Sequence, residues 1–188
     1  MPGSCGTFRG QPAKLPGQEC RQQAFFFAWR FCLFCAMGMG FFYLAPVHAL
    51  LQPLLIMLAA LVGGLLKVAG LPVIVLGQKV VLPGVFGIDI ATECSGAPHL
   101  LLFFSGVLAY PTSSGSRLLG IILATAAVFV GNLVRLVTLF WIGVQAQEYF
   151  DVAHSYIWGG LSYVGLVLLW ILWLRLSGEV GDLVDYFE

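Results

Sequence analysis

From residue 24 onward, long apolar runs alternate with short polar breaks. A helix crossing the hydrocarbon layer, roughly 30 Å thick, needs about 20 mostly apolar residues. Stretches 24–45, 95–110, 118–143 and 154–174 meet or approach that length. A fifth run, 47–70, is apolar but carries His48, Gln52, Pro53 and Lys67. The texture then changes. Val73–Leu76 and Lys79–Leu82 flank Gly77-Gln78, a pattern that predicts a hairpin with a glycine-containing turn. Pro83-Gly84 breaks the run, and Phe86, Ile88 and Ile90 then alternate with Gly87, Asp89 and Ala91 as in a half-buried strand.

Basic residues assign an orientation. If 47–70 stays on the outer side as an interfacial or re-entrant helix, Arg9, Lys14, Arg21, Arg117 and Arg175 all face the cytoplasm. Asp89, Glu93, Glu148 and Asp151 then face outward. The predicted fold is an all-α integral membrane helix bundle of about four crossings plus that fifth helix, with a small extracytoplasmic β-hairpin cap. Residues 1–23, rich in Gly and Pro, read as a disordered basic cytoplasmic tail without a secretory leader's apolar core. Residues 24–176 are expected to form one membrane-embedded domain and 177–188 a short C-terminal tail.

Composition agrees with this picture. Hydrophobic residues make up 60% of the chain and charged ones only 10%, too few to clothe a soluble domain. The formal net charge of zero argues against nucleic-acid binding. Among the five cysteines, Cys32 and Cys35 have CxxC spacing but lie within an aromatic and aliphatic run, where they read as ordinary helix residues. No cluster has metal-ligand spacing and no phosphate-binding loop is present, so neither metal nor cofactor is expected.

Polar residues within apolar helices are costly and point to function. Arg135 lies about 27 Å along a helix from Arg117, near the opposite edge of the layer. It continues a small-residue stripe, Gly120, Ala124, Ala127 and Gly131, that lets another helix approach. Asn132, one turn earlier, can orient a neighbour. Cys94 precedes a helix start marked by Pro98, with Ser95 as a cap, and the positive helix end favours thiolate there. His154 opens the last span. Each has a plainer reading: a snorkelling arginine, an inert cysteine, an interfacial histidine. Topology nevertheless places nucleophile, cation and base in one layer, the inventory of thiol acyl transfer. His99 and His48 are weaker candidates, with His99 expected to point elsewhere, and Ser105 lacks a GxSxG context.

Glu93-Cys94-Ser95-Gly96, Gly131-Asn132-Leu-Val-Arg135 and the His154 segment, in this order, resemble the exosortase/archaeosortase family of membrane-embedded cysteine transpeptidases. The likeness covers about residues 70–175. It implies that Cys94 is the nucleophile, His154 the general acid/base and Arg135 the stabilising cation, with Glu93, Ser95, Gly96 and Asn132 binding substrate or supporting the site. The implied substrate is a secreted protein whose C-terminal sorting tail carries a short motif, a hydrophobic helix and a basic end. Cys94 would cleave it as a thioester at the outer face of the cytoplasmic membrane, for an amine or other acceptor to resolve. Trp158 stands where many members have Gly, and Ala97-Pro98 departs from the commonest forms. The alternatives are an intramembrane cysteine protease using water and a non-catalytic membrane assembly or transport subunit.

Overall fold

A computed structural model describes the backbone of residues 16–42 and 45–177 and the side chains of 21–42 and 49–177. The order is α1 (Pro16–Phe42), α2 (Ala45–Val68), β1 (Ile74–Leu76), β2 (Lys79–Leu82), β3 (Phe86–Asp89), a 3₁₀ turn (Thr92–Ser95), α3 (Ala97–Ala109) and α4 (Ser114–Gln145). A second 3₁₀ turn (Gln147–Tyr149), the single turn α5 (Phe150–Val152), a π turn (Ala153–Ile157) and α6 (Trp158–Leu176) complete it. Helix α1 begins inside the stretch expected to be a disordered tail, with Pro16 at the first helical position, where its missing N–H costs nothing. Residues 1–15 of that tail and 178–188 of the C-terminal one lie outside the described residues.

Among the described residues, four helices are long and apolar enough to cross a membrane: Arg21–Phe42, Ala49–Val68, Ser114–Gln145 and the run Gln147–Leu176. The chain is thus a multi-pass membrane helix bundle with a small sheet. Two of the five expected runs exchange places by length. The run 47–70 forms a full-length helix, whereas 95–110 yields only the 13 residues of α3, about 20 Å long. Gly96 before α3 and Pro111 after it bound the shorter helix.

The predicted hairpin and third strand form one antiparallel sheet, β1-β2-β3, with Leu76 opposite Lys79 across the Gly77-Gln78 turn. Gly77 holds φ 61° at the first turn position, which suits the twist of a two-residue hairpin loop. The sheet lies on α2 and on one end of α4, here termed the cap end. Leu55, Leu58, Val62 and Leu66 of α2 share one buried cluster with Val80, Leu82 and Ile90 of the cap and with Leu136 and Phe140 of α4. Gln52 donates to Gln78 (3.0 Å) and Gln78 to Asp89 (2.7 Å), tying α2 to the hairpin tip.

A second core joins α3, α4 and α6 through Phe103, Val107, Ala124, Leu166 and Trp173. Gly106 and Gly120 allow this approach. A Cβ on Gly106 would collide with the Trp170 ring, and one on Gly120 would come 2.7 Å from Trp173 Nε1. Trp173 Nε1–H donates to the Ser116 carbonyl at 2.7 Å, which satisfies the indole inside an apolar core. The small-residue stripe of α4 is therefore filled by α6 in its first half.

Candidate active site

At the cap end, the strand β3 hands over to the 3₁₀ turn that carries Cys94, and a sharp corner then starts α3. Gly96 makes that corner with φ 84°, a left-handed conformation that a side chain strains. A Cβ there would also lie 3.2 Å from Val128 Cγ1 and 3.6 Å from the Asn132 side chain. Gly96 itself occupies the helix cap position expected for Ser95. The Ser95 hydroxyl sits one residue earlier, donating to the Thr92 carbonyl (2.6 Å) and accepting from the Ala97 N–H (3.1 Å). Gly96→Ala should destabilise the fold by about 1–3 kcal/mol through backbone strain alone. Thermal unfolding in detergent, beside Gly40→Ala, whose Cβ meets nothing within 4 Å, checks this.

Helix α4 supplies two groups to this corner. Asn132 is buried, and its Nδ2 donates to the Cys94 carbonyl at 2.9 Å, pinning the cysteine's backbone to α4. One turn on, Arg135 is only 8% exposed, and its Nε has no hydrogen-bond partner. The one ion pair among the described residues is Lys79–Asp89, so Arg135 has no carboxylate opposite it there. Burying an unpaired cation is expensive.

The last helical run supplies the imidazole. His154 falls in the π turn, where an extra residue widens the helix and re-aims side chains, a feature common at functional sites. Its Nε2 lies 3.4 Å from Cys94 Sγ, across 60 positions of sequence. Its ring stacks on Phe150 at a centroid distance of 5.8 Å and an angle of 4°. Phe150 in turn packs on Phe86 of β3 at 5.3 Å, so the imidazole is braced by the cap. Sequence reasoning passed over Phe150, although its place four residues before His154 puts both on one helix face.

The structure thus brings together Cys94, His154, Asn132 and the charge of Arg135. Glu93 stands exposed in the same turn, next to Cys94. His99 differs from expectation. It lines the same cavity as Arg135, because the corner at Gly96 interrupts the helical phase counted from Cys94. Ser105 bonds only its own helix, through the Leu101 carbonyl (2.7 Å). The side chain of His48 lies outside the described ones.

Electrostatically, burial pushes the Cys94 thiol above its ordinary value, Arg135 pulls it down and Glu93 pushes it up. Desolvation outweighs the pull of Arg135, so the resting group is a thiol rather than the thiolate expected from sequence. Alkylation of Cys94 by iodoacetamide should therefore show a midpoint above the usual ~8.5 of a free thiol. Arg135→Gln removes a stabilising charge and should move that midpoint further up. Glu93→Gln removes a repelling one and should move it down. Mass spectrometry of alkylation rate against pH reads all three directions.

A cavity of ≈ 380 Å³ runs from this corner along the face between α4 and α6. Among the described residues, no group of three His, Cys, Asp or Glu side chains could hold a metal ion.

Fold and site define a multi-pass membrane protein with a thiol–imidazole pair beside a buried, unpaired arginine. The family model for transmembrane exosortases matches residues 18–176, and the chain belongs to that family. Comparison with curated proteins and with solved structures found no match.

Proposed function

We propose that this chain is a protein-sorting transpeptidase that removes the hydrophobic C-terminal sorting tail of secreted proteins at the outer face of the cytoplasmic membrane. The 3.4 Å approach of Cys94 Sγ to His154 Nε2 is the observation that carries this reading. It is the nucleophile–base distance that thiol catalysis needs.

The chemistry follows from the positions. His154 takes the thiol proton, and the thiolate adds to the scissile carbonyl carbon. The developing oxyanion is stabilised by Arg135, whose buried guanidinium has no carboxylate to neutralise among the described residues and acts with little screening. His154 then passes its proton to the leaving amine of the tail as the C–N bond breaks, leaving a Cys94 thioester. An acceptor amine, deprotonated by the same imidazole, attacks the thioester and returns the thiol. With water as acceptor the same sequence gives hydrolysis.

Co-expression with a secreted protein bearing a hydrophobic, basic-ended C-terminal tail tests the reading. Wild type should shorten the substrate by the tail mass, whereas Cys94→Ala and Arg135→Ala, at matched membrane levels, should not. A mass beyond simple hydrolysis identifies a transferred acceptor. Tail loss that persists in Cys94→Ala removes the cysteine from the chemistry and returns the chain to a non-catalytic role.

A further inference from the structure

Among the described residues, no helix packs against the second half of the small-residue stripe on α4. Ala127 and Gly131 line the open cavity, and Ser162 and Gly165 face it from α6. Glycine inside a helix costs about 1 kcal/mol relative to alanine, so it needs a packing reason. Gly106 and Gly120 have theirs in Trp170 and Trp173, whereas a Cβ on Gly131 or Gly165 would meet nothing within 4 Å. Two small-residue ridges on adjacent helices are what a third helix needs to bring its backbone close.

Length and polarity narrow the occupant. On α6 the lining extends from Trp158 to Leu172, about 21 Å of helix. The lower wall is apolar, and the polar groups gather at the cap end. There Arg135, more than nine-tenths buried and with an unpartnered Nε, faces the cavity beside the Cys94 corner. An occupant with an oxygen-rich group at one end and an apolar helix behind it matches both features. A lipid chain would fill apolar space as well, but it would not call for backbone-close approach on two facing helices.

We infer that the groove between α4 and α6 seats the hydrophobic helix of the substrate's tail, with Gly131 and Gly165 as its backbone contacts and Arg135 at the scissile end. This rests on the sorting-tail reading above and assigns the residues that recognise the tail. The lining follows α6 from Trp158 to Leu172, a length within the membrane span, so a tail helix can enter the groove from the lipid without leaving the bilayer. Gly131 and Gly165 thereby set which tails fit, through the size of side chains facing them.

Two measurements test this with the tail-bearing protein of the co-expression assay. In the first, Gly165→Leu fills the groove without striking the fold, and leucine's better helix propensity should keep or raise the unfolding temperature. Tail removal should fall at least tenfold, while Gly160→Leu, on an exposed face of α6 outside the groove, should leave it unchanged. In the second, Gly165→Cys is placed in a Cys94→Ala background, with single cysteines stepped along the tail. Disulfide capture should recur at tail positions three to four residues apart, the signature of a seated helix.

Tail removal by Gly165→Leu at the wild-type rate overturns the inference while leaving the transpeptidase reading intact. Absent or aperiodic capture overturns it too, as does a phospholipid co-purifying in the groove and retained in the presence of tail. Periodic capture without tail removal by the wild type keeps the seat and sinks the chemistry.

Discussion

Cys94→Ser leaves the tail attached to its substrate, even though only one atom changes. The loss should be on the order of 10⁴–10⁶-fold, the scale on which enzymes lose rate when a nucleophile is removed. Serine keeps the volume and the hydrogen-bonding position facing His154 Nε2, so the corner held by Asn132 and Gly96 should remain intact. A hydroxyl, however, is far harder to ionise than a thiol, and the buried site penalises an anion further. An ester is also a poorer donor than a thioester for transfer to an amine. Unchanged unfolding temperature with no shortening of the substrate is the expected pair of results. Tail removal by the serine variant within tenfold of wild type would deny the thiol its role.

Arg135→Met should separate stability from activity. The guanidinium is buried and faces no carboxylate among the described residues, so it lowers the stability of the resting fold. Methionine fills similar space without a charge to desolvate. The unfolding temperature should hold or rise by a few degrees, while tail removal falls by roughly 10²–10³-fold, as when an oxyanion donor is lost. The thiol adds to the loss, because Arg135 is the charge that favours its ionised form. An arginine that merely anchors α4 at the membrane edge would behave the other way, with stability falling and activity following it in proportion. Arg135→Lys should recover only part of the activity, since an ammonium lacks the planar fork of the guanidinium.

Much of the architecture was legible in the residues because it depends on local pattern. Unbroken apolar runs mark helices long enough for a bilayer, since hydrogen-bonded helix is what a chain can form in lipid. Gly77-Gln78 between two β-branched runs marks the hairpin, because a tight turn needs a residue free to take positive φ. The family motifs Glu93–Gly96 and Gly131–Arg135 were equally visible, and the family match over residues 18–176 agrees with them. The stripe from Gly120 to Arg135 showed the face of α4 against which α6 packs in its first half, because its period is that of the helix itself.

What tertiary structure decided involves distance and absence. The 3.4 Å meeting of Cys94 with His154 joins residues 60 apart and depends on the left-handed corner at Gly96 and on the π turn, neither of which periodicity reveals. The corner also turned His99 toward the cavity, against a count that assumed one continuous helix. That α6 fills only half of the α4 stripe, leaving Arg135 unpaired over an open groove, could not be read from composition. In a membrane bundle the side facing lipid and the side facing another helix are both apolar. The residues therefore declare that a helix lies in the membrane, and only packing declares which of its faces is still waiting for a partner.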